Sequence, residues 1–289
     1  MSNMVEVSGL VKNYSRFRLG PVDFEVPKGS IVGLIGQNGA GKTTLIKSML
    51  NLIVADAGSV RIGEYDLSKN EREIKNLVGY VGEQQYYYED KRVAWLGNFI
   101  SRFYSSWDGV MFERLLERFE VASGKRAREL SKGMRVKLSF AIALAHNPKL
   151  MLLDEPTSGL DPVIRRELLE ELRGFAGLED RSVVISSHIT DDIDRLADYV
   201  VFLHEGKIVL YSEKDSLLSE WKRIHYIPGS LGDLQQALVD IKETVFGSSG
   251  ITKEYSRFAD TLTPLITRGE IKVENLGLDD ILISLVRRY

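Results

Sequence analysis

Residues Gly36 to Thr44 read Gly-Gln-Asn-Gly-Ala-Gly-Lys-Thr-Thr, and no other stretch constrains the fold as tightly. The apolar run Ile31 to Ile35 before them reads as a buried strand, and Thr43 to Leu50 reads as a helix start. A glycine-rich loop between strand and helix can turn tightly and aim successive N–H groups, together with the positive end of the helix dipole, at one point. That geometry suits phosphate. Lys42 then reaches the β- and γ-phosphates of a nucleotide, and the Thr43 hydroxyl ligates Mg²⁺. An ordinary strand-to-helix turn is the competing reading, and the flanking elements disfavour it. The loop alone does not choose among kinases, GTPases, transport ATPases and DNA-repair ATPases.

With 289 residues, 44% of them hydrophobic, the chain can bury one large core or a core plus a small appendage. A net charge of −3 argues against a broad nucleic-acid footprint. There is no cysteine, so disulfides and thiolate metal sites are excluded, and four scattered histidines leave little room for a metal cluster. No apolar run is long enough to span a bilayer, and the N-terminus lacks the pattern of a secretion signal. Any membrane role must come through a partner.

Along the chain, Val5 to Val11 and Val22 to Val26 alternate like half-buried antiparallel strands, with Tyr14 between them as either core filler or an exposed platform for a base, of which the residues alone favour core filler. Gly58 to Ile62 and Val78 to Gly82 read as strands, and Glu71 to Leu77 as a short helix. A helical stretch follows, in which Trp95, Phe99 and Phe103 recur every four residues and predict a core-facing stripe. The tyrosine triplet Tyr86 to Tyr88 divides evenly between core and interface. Ser131 suits the N-cap of a helix running through Ala145.

Leu150 to Leu153 run into Asp154 and Glu155, which predicts a buried strand delivering two carboxylates to a cleft at the carboxyl end of a parallel sheet. Asp154 suits Mg²⁺, directly or through water, and Glu155 suits the base for an attacking water. Asp161 reads as an N-cap with Pro162 at the first helical position. Ser182 to Ser186 read as another buried strand, and His188 beyond it as a polar contact to the γ-phosphate.

Together these residues resemble the ATP-binding subunit of an ABC transporter over about residues 4 to 212. Gly36 to Thr44 matches the Walker A loop, Leu150 to Glu155 the Walker B strand, Ser158 to Asp161 the D-loop and His188 the switch histidine. Leu130 to Met134 stands at the family signature and keeps its Leu, Ser and second Gly; Lys132 and Met134 depart from it. Glu83 stands where the family's Q-loop has Gln. The resemblance implies an α/β P-loop NTPase fold with a mainly parallel core sheet, N-terminal antiparallel strands, a helical insert near residues 84 to 137 and a C-terminal accessory region at 213 to 289.

It further implies that ATP is held by Gly36, Asn38, Gly39, Ala40, Gly41, Lys42, Thr43 and Thr44. Tyr14 becomes the aromatic that stacks on adenine, Glu83 and Asp161 line the site, and Ser131 and Gly133 complete the site of a second ATP-binding subunit. Glu155 and His188 are the catalytic candidates, and Thr43 and Asp154 the Mg²⁺ ligands. Such a chain hydrolyses ATP as a dimer and drives a separate membrane subunit from the cytoplasmic face of the membrane, in an exporter-like subfamily. The alternative is a soluble ABC ATPase acting on nucleic acid or ribosomes, disfavoured by the acidity, the single cassette and the lack of a coiled coil between Lys42 and Asp154. An ATP-binding regulatory subunit without turnover is disfavoured by Glu155.

In the tail, Leu231, Leu234, Leu238 and Ile241 form an amphipathic stretch, and Gly247 to Gly250 reads as a linker. Ile271 to Glu274 predicts a strand, and Leu278 to Leu285 an amphipathic helix opened by Asp279 and Asp280. A small accessory subdomain is the expectation here.

Overall fold

The structure, a computed structural model, describes residues 2–178, 180–244 and 247–287. The chain forms two compact units, Met1–Tyr211 and Ser212–Tyr289. The first begins with β1 (Asn3–Asn13) and β2 (Arg18–Pro27), followed by β3 (Ile31–Ile35) and α1 (Lys42–Met49). Next come β4 (Ala57–Ile62), β5 (Tyr65–Asp66), α2 (Glu71–Leu77) and β6 (Val78–Val81). Three helices intervene, α3 (Val93–Ile100), α4 (Gly109–Arg118) and α5 (Lys132–Ala145). The last elements are β7 (Leu150–Asp154), α6 (Pro162–Ala176), β8 (Ser182–Ser187), α7 (Thr190–Leu196), β9 (Tyr199–His204) and β10 (Lys207–Glu213).

Two sheets result. The antiparallel one has the order β2-β1-β4-β5, and the larger one β10-β9-β3-β8-β7-β6. In the larger sheet β3 pairs in parallel with β8 and β9, β7 with β8, and β6 with β7. Every residue of β3, β7 and β8 is buried, as a sheet covered on both faces demands. From β3 the chain crosses to the far edge at β6 and then works back, so the order reverses beside β3. A crevice at the carboxyl ends of the strands belongs at such a point.

α3 is where the periodicity misleads. Its buried face is Val93, Leu96 and Gly97, while Trp95 and Phe103 are 39% and 65% exposed. The aromatic stripe is therefore a surface ladder and not core. Trp95 stacks on Phe99 at 5.0 Å, Tyr88 meets both edge-on at 5.8 Å, and Phe103 continues the row at 5.4 Å from Phe99. Ring-on-ring contact shelters part of each aromatic, which is how such a row persists outside the core. The triplet splits: Tyr86 and Tyr88 are exposed, whereas Tyr87 turns inward and its hydroxyl meets Ser139 Oγ at 2.5 Å. Tyr14, at 46% exposed, is not core either.

The second unit carries α8 (Lys214–Glu220), β11 (Lys222–Tyr226), β12 (Val239–Thr244), β13 (Gly247–Thr252), α9 (Tyr255–Thr267), β14 (Ile271–Asn275) and α10 (Leu278–Val286). Its sheet has the order β12-β13-β11-β14, the strand arrangement of ferredoxin-like folds. Ile224, Tyr226, Leu231, Leu238, Leu262 and Ile271 form its core. Gly247 to Gly250 is not a linker but four of the six residues of β13, a strand flanked by β11 and β12. Gly250 fits there because a Cβ would lie 2.9 Å from that of Leu238. The spacing of Leu231 to Ile241 is not one helix either: a 3₁₀ turn at Gly232–Ala237 gives way to β12.

Candidate functional site

The loop after β3 uses glycine where a side chain cannot go. A Cβ on Gly36 would fall 2.4 Å from the Leu203 carbonyl oxygen, and Gly41 caps α1 with φ 109°. Lys42 is consequently drawn inward. Its Nζ donates to the carbonyls of Gly36 at 2.6 Å and Gln37 at 3.2 Å, and pairs with Glu155 Oε1 at 3.1 Å. Both partners of that pair are over 90% buried, so neither charge could stay there alone.

Asp154 ends β7 beside the loop. Thr43 Oγ1 donates to its Oδ1 at 3.0 Å and Ser186 Oγ donates to the same oxygen at 2.9 Å. Its Oδ2 is buried and has no hydrogen-bond partner among the described residues. Burial pushes the carboxyl above its usual range, and the two hydroxyl donors pull the other way. An acid burdened in this way, with one oxygen unsatisfied and a hydroxyl alongside, fits a hard divalent cation.

Glu155 holds a left-handed backbone, φ 50°, which costs a non-glycine residue about 1 kcal/mol or more. The surroundings hold it there. Its N–H donates to Ser186 Oγ at 3.0 Å and to the Ser186 carbonyl at 3.2 Å. Its Oε2 meets His188 Nδ1 at 2.6 Å and accepts from the His188 N–H at 3.3 Å. The next turn is fixed by buried Asp192, which accepts from Thr157 Oγ1 at 2.6 Å and from Arg165 Nε at 2.5 Å.

The structure thus joins Lys42, Thr43, Asp154, Glu155 and His188 in one network, with Gly36, Asn38, Gly39, Ala40, Gly41 and Thr44 in the same loop and helix start. Tyr14 flanks it: its ring lies 6.3 Å from that of Phe17, whose Cζ sits 2.9 Å from where a Gly41 Cβ would be. Glu83 is not bonded to the network among the described residues, and its charge acts on Tyr80, whose phenol is pushed up to about 12 by burial and then by the charges of Asp154 and Glu83. Ser131 caps α5, accepting from Met134 N at 3.3 Å, and Asp161 caps α6, accepting from the N–H groups of Val163 and Ile164. Neither Ser131, Gly133 nor Asp161 is bonded to the loop among the described residues. Ser186 is the member that sequence reasoning misses; a serine at the end of β8 announces nothing until β8 is known to lie beside β7.

Comparison with known proteins agrees with this geometry. The ABC transporter family model matches residues 19–158. The lantibiotic transport ATP-binding protein SrtF of Streptococcus pyogenes is 34% identical over 223 residues, covering 73% of this chain and 92% of SrtF. The chain belongs to the ABC transporter ATP-binding family. The bacitracin transport ATP-binding protein BcrA of Bacillus licheniformis is 29% identical over 302 aligned positions and covers 99% of this chain and 98% of its own length. A solved ATP-binding subunit of an ABC transporter superposes with a TM-score of 0.68 at 29% identity, covering 75% of this chain and 92% of that one. This ABC protein is therefore a transporter subunit that binds and hydrolyses ATP. The nucleic-acid alternative draws no support from these relatives. No helix among the described residues is long and apolar enough to cross a membrane.

Proposed function

We propose that residues 1–212 act as a nucleotide cassette holding half of each of two ATP sites, with 84–137 as its helical subdomain and 213–289 as an accessory unit. What carries this reading is the connected network at the ends of β3, β7 and β8, which sets a cation, a metal-type carboxylate and a base-type carboxylate around one glycine loop. Lys42 and the N–H groups opening α1 bind the β- and γ-phosphates, and Tyr14 stacks on adenine. Thr43 and Asp154 hold Mg²⁺, which neutralises phosphate charge when bound.

Glu155 orients and deprotonates the attacking water, and His188, bonded to the far oxygen of Glu155, fixes the carboxylate and contacts the γ-phosphate. Glu83 and Asp161 line the site. Ser131 and Gly133 of a second ATP-binding subunit, identical or homologous, close the site from the other side. Because the γ-phosphate then bridges two chains, its loss on hydrolysis shifts the open and closed populations. The surface row of Tyr88, Trp95 and Phe103 with half-buried Phe99 between them is the face offered to a separate membrane subunit. We take the direction to be export, as the likeness of Lys132, Met134 and Glu83 to the exporter-like subfamily implies, with this chain peripheral at the cytoplasmic face of the membrane.

Replacing Glu155 with Gln tests the assignment. Turnover should fall by about 10² to 10⁴ while ATP binding persists, and an ATP-bound dimer should accumulate on size exclusion. Near-wild-type turnover would remove Glu155 from the base role.

A further inference from the structure

α5 opens with an electrostatic problem. Lys132 and Arg135 lie in or next to its first turn, no acid does, and that end of a helix already carries partial positive charge. The answer comes from the segment after β6. Glu89 accepts two parallel hydrogen bonds from Arg135, at 2.8 Å from Nη1 and 2.7 Å from Nη2. This bidentate pair fixes both direction and register. Arg135 Nε also points at the Leu130 carbonyl, at 3.4 Å, immediately before the Ser131 cap. One turn further along α5, Tyr87 closes on Ser139 at 2.5 Å.

The same segment is tied to the approach of α5 by its backbone. The N–H of Arg128 donates to the Glu89 carbonyl at 3.1 Å, that of Ala127 to the Lys91 carbonyl at 2.9 Å, and that of Val93 to the Lys125 carbonyl at 2.9 Å. On its other side the start of α5 packs against α6. A Cβ on Gly133 would strike Ile164 Cδ1 at 2.6 Å, and Lys137 pairs with Glu167 at 2.7 Å. The first turn of α5 is thus gripped between the aromatic-bearing loop and α6.

We propose that Glu89 and Arg135, seconded by Tyr87 and Ser139, form a latch that positions Ser131 and Gly133 for the nucleotide of a second subunit. Glu89 and Arg135 are positioning residues and touch no nucleotide. Through them the placement of residues 86 to 92, beside the exposed aromatic row, sets the presentation of the α5 start. The inference rests on the assignment of Ser131 and Gly133 to a shared ATP site.

Its test separates binding within one chain from hydrolysis that needs two. With the full chain, fluorescent-ATP titrations well below the dimerisation range report the loop of the monomer, and turnover against protein and ATP concentration reports the assembled site. Glu89→Gln and Arg135→Gln should each leave monomer ATP affinity within about 2-fold. Each should raise by about 10-fold the ATP or protein concentration needed for half-maximal turnover, a typical coupling magnitude. Tyr87→Phe, which removes only a hydroxyl, should act in the same direction more weakly. The exchange Glu89→Arg with Arg135→Glu should recover most of the loss. Single variants that match wild type in turnover overturn the latch, as does an exchange no better than the two losses added. Ser131→Ala is run alongside: wild-type dependence of turnover on protein and ATP concentration there overturns the shared-site reading and the latch with it, whereas a shift there with wild-type turnover in Glu89→Gln overturns the latch alone.

Discussion

Ser186 is bonded to both carboxylate residues, so Ser186→Ala is the sharpest probe of the site's metal arm. Its hydroxyl supplies one of the two hydrogen bonds to Asp154 Oδ1, at 2.9 Å, in a buried setting. A hydrogen bond to a charged group contributes about 2 kcal/mol, or about 30-fold in an equilibrium. The turn at Glu155 should survive, because its N–H keeps the Ser186 carbonyl at 3.2 Å. The loss should therefore fall on Asp154, whose carboxyl is already raised by burial and loses one of the donors opposing that rise. In the metal role proposed for Asp154 it is the ionised form that binds, so Mg²⁺-dependent ATP binding should weaken as pH falls through the raised value, and in the variant the weakening should begin at higher pH. Calorimetric Mg²⁺ titrations at fixed ATP from pH 5 to 8 should show affinity reduced about 10- to 30-fold, with ATP binding in chelator changed less than about 3-fold. Equal Mg²⁺ midpoints in variant and wild type would refute the reasoning. So would an equal loss with and without metal.

Tyr14→Ala should weaken ATP binding by about 1 to 3 kcal/mol while Tyr14→Phe stays near wild type, and an Ala variant with full affinity would take Tyr14 out of the adenine role. His146 is buried, its ring stacked on that of Tyr104 at 4.1 Å, and burial pushes its pKa down to about 4. Between that value and 6.5 the unfolded chain binds more protons, so stability present above about pH 6.5 is lost as pH falls towards 4. The difference of about 2.5 units corresponds to about 3 kcal/mol in all, of which about 2 should be gone by pH 5. Denaturant melts of wild type and His146→Phe at pH 7 and 5 should show the smaller loss in the variant; parallel losses would contradict this. Phe103→Ala should leave the ATPase of the isolated chain unchanged and reduce recovery of the membrane subunit in co-purification, and full recovery would remove that residue from the docking surface.

What the sequence discloses follows from where the cause of each feature lies. The loop from Gly36 to Thr44 is legible because phosphate binding asks for glycines, a lysine and a hydroxyl at fixed local spacing. The short helix Glu71–Leu77 is legible for the same local reason. The row Trp95, Phe99 and Phe103 shows the limit of periodicity, which reports that residues share a face but not what that face meets. Gly247 to Gly250 shows another, since β13 takes its conformation from strands on either side and not from its own small residues. Ser186 lies beyond local reading altogether. Its partners Asp154 and Glu155 are about thirty residues away and reach it only because β7 and β8 are neighbours.

The buried pair of Lys42 and Glu155 has a consequence for the order of events. Each is the other's counter-ion, 3.1 Å apart and buried, so neither can leave the pair without a replacement charge. If Lys42 takes the proposed γ-phosphate contact, its ammonium must leave this pair, and the Glu155 carboxylate is then free for the proposed base role. Under the roles proposed for the two residues, the pair would act as an interlock, with the base freed only when a phosphate draws the ammonium away.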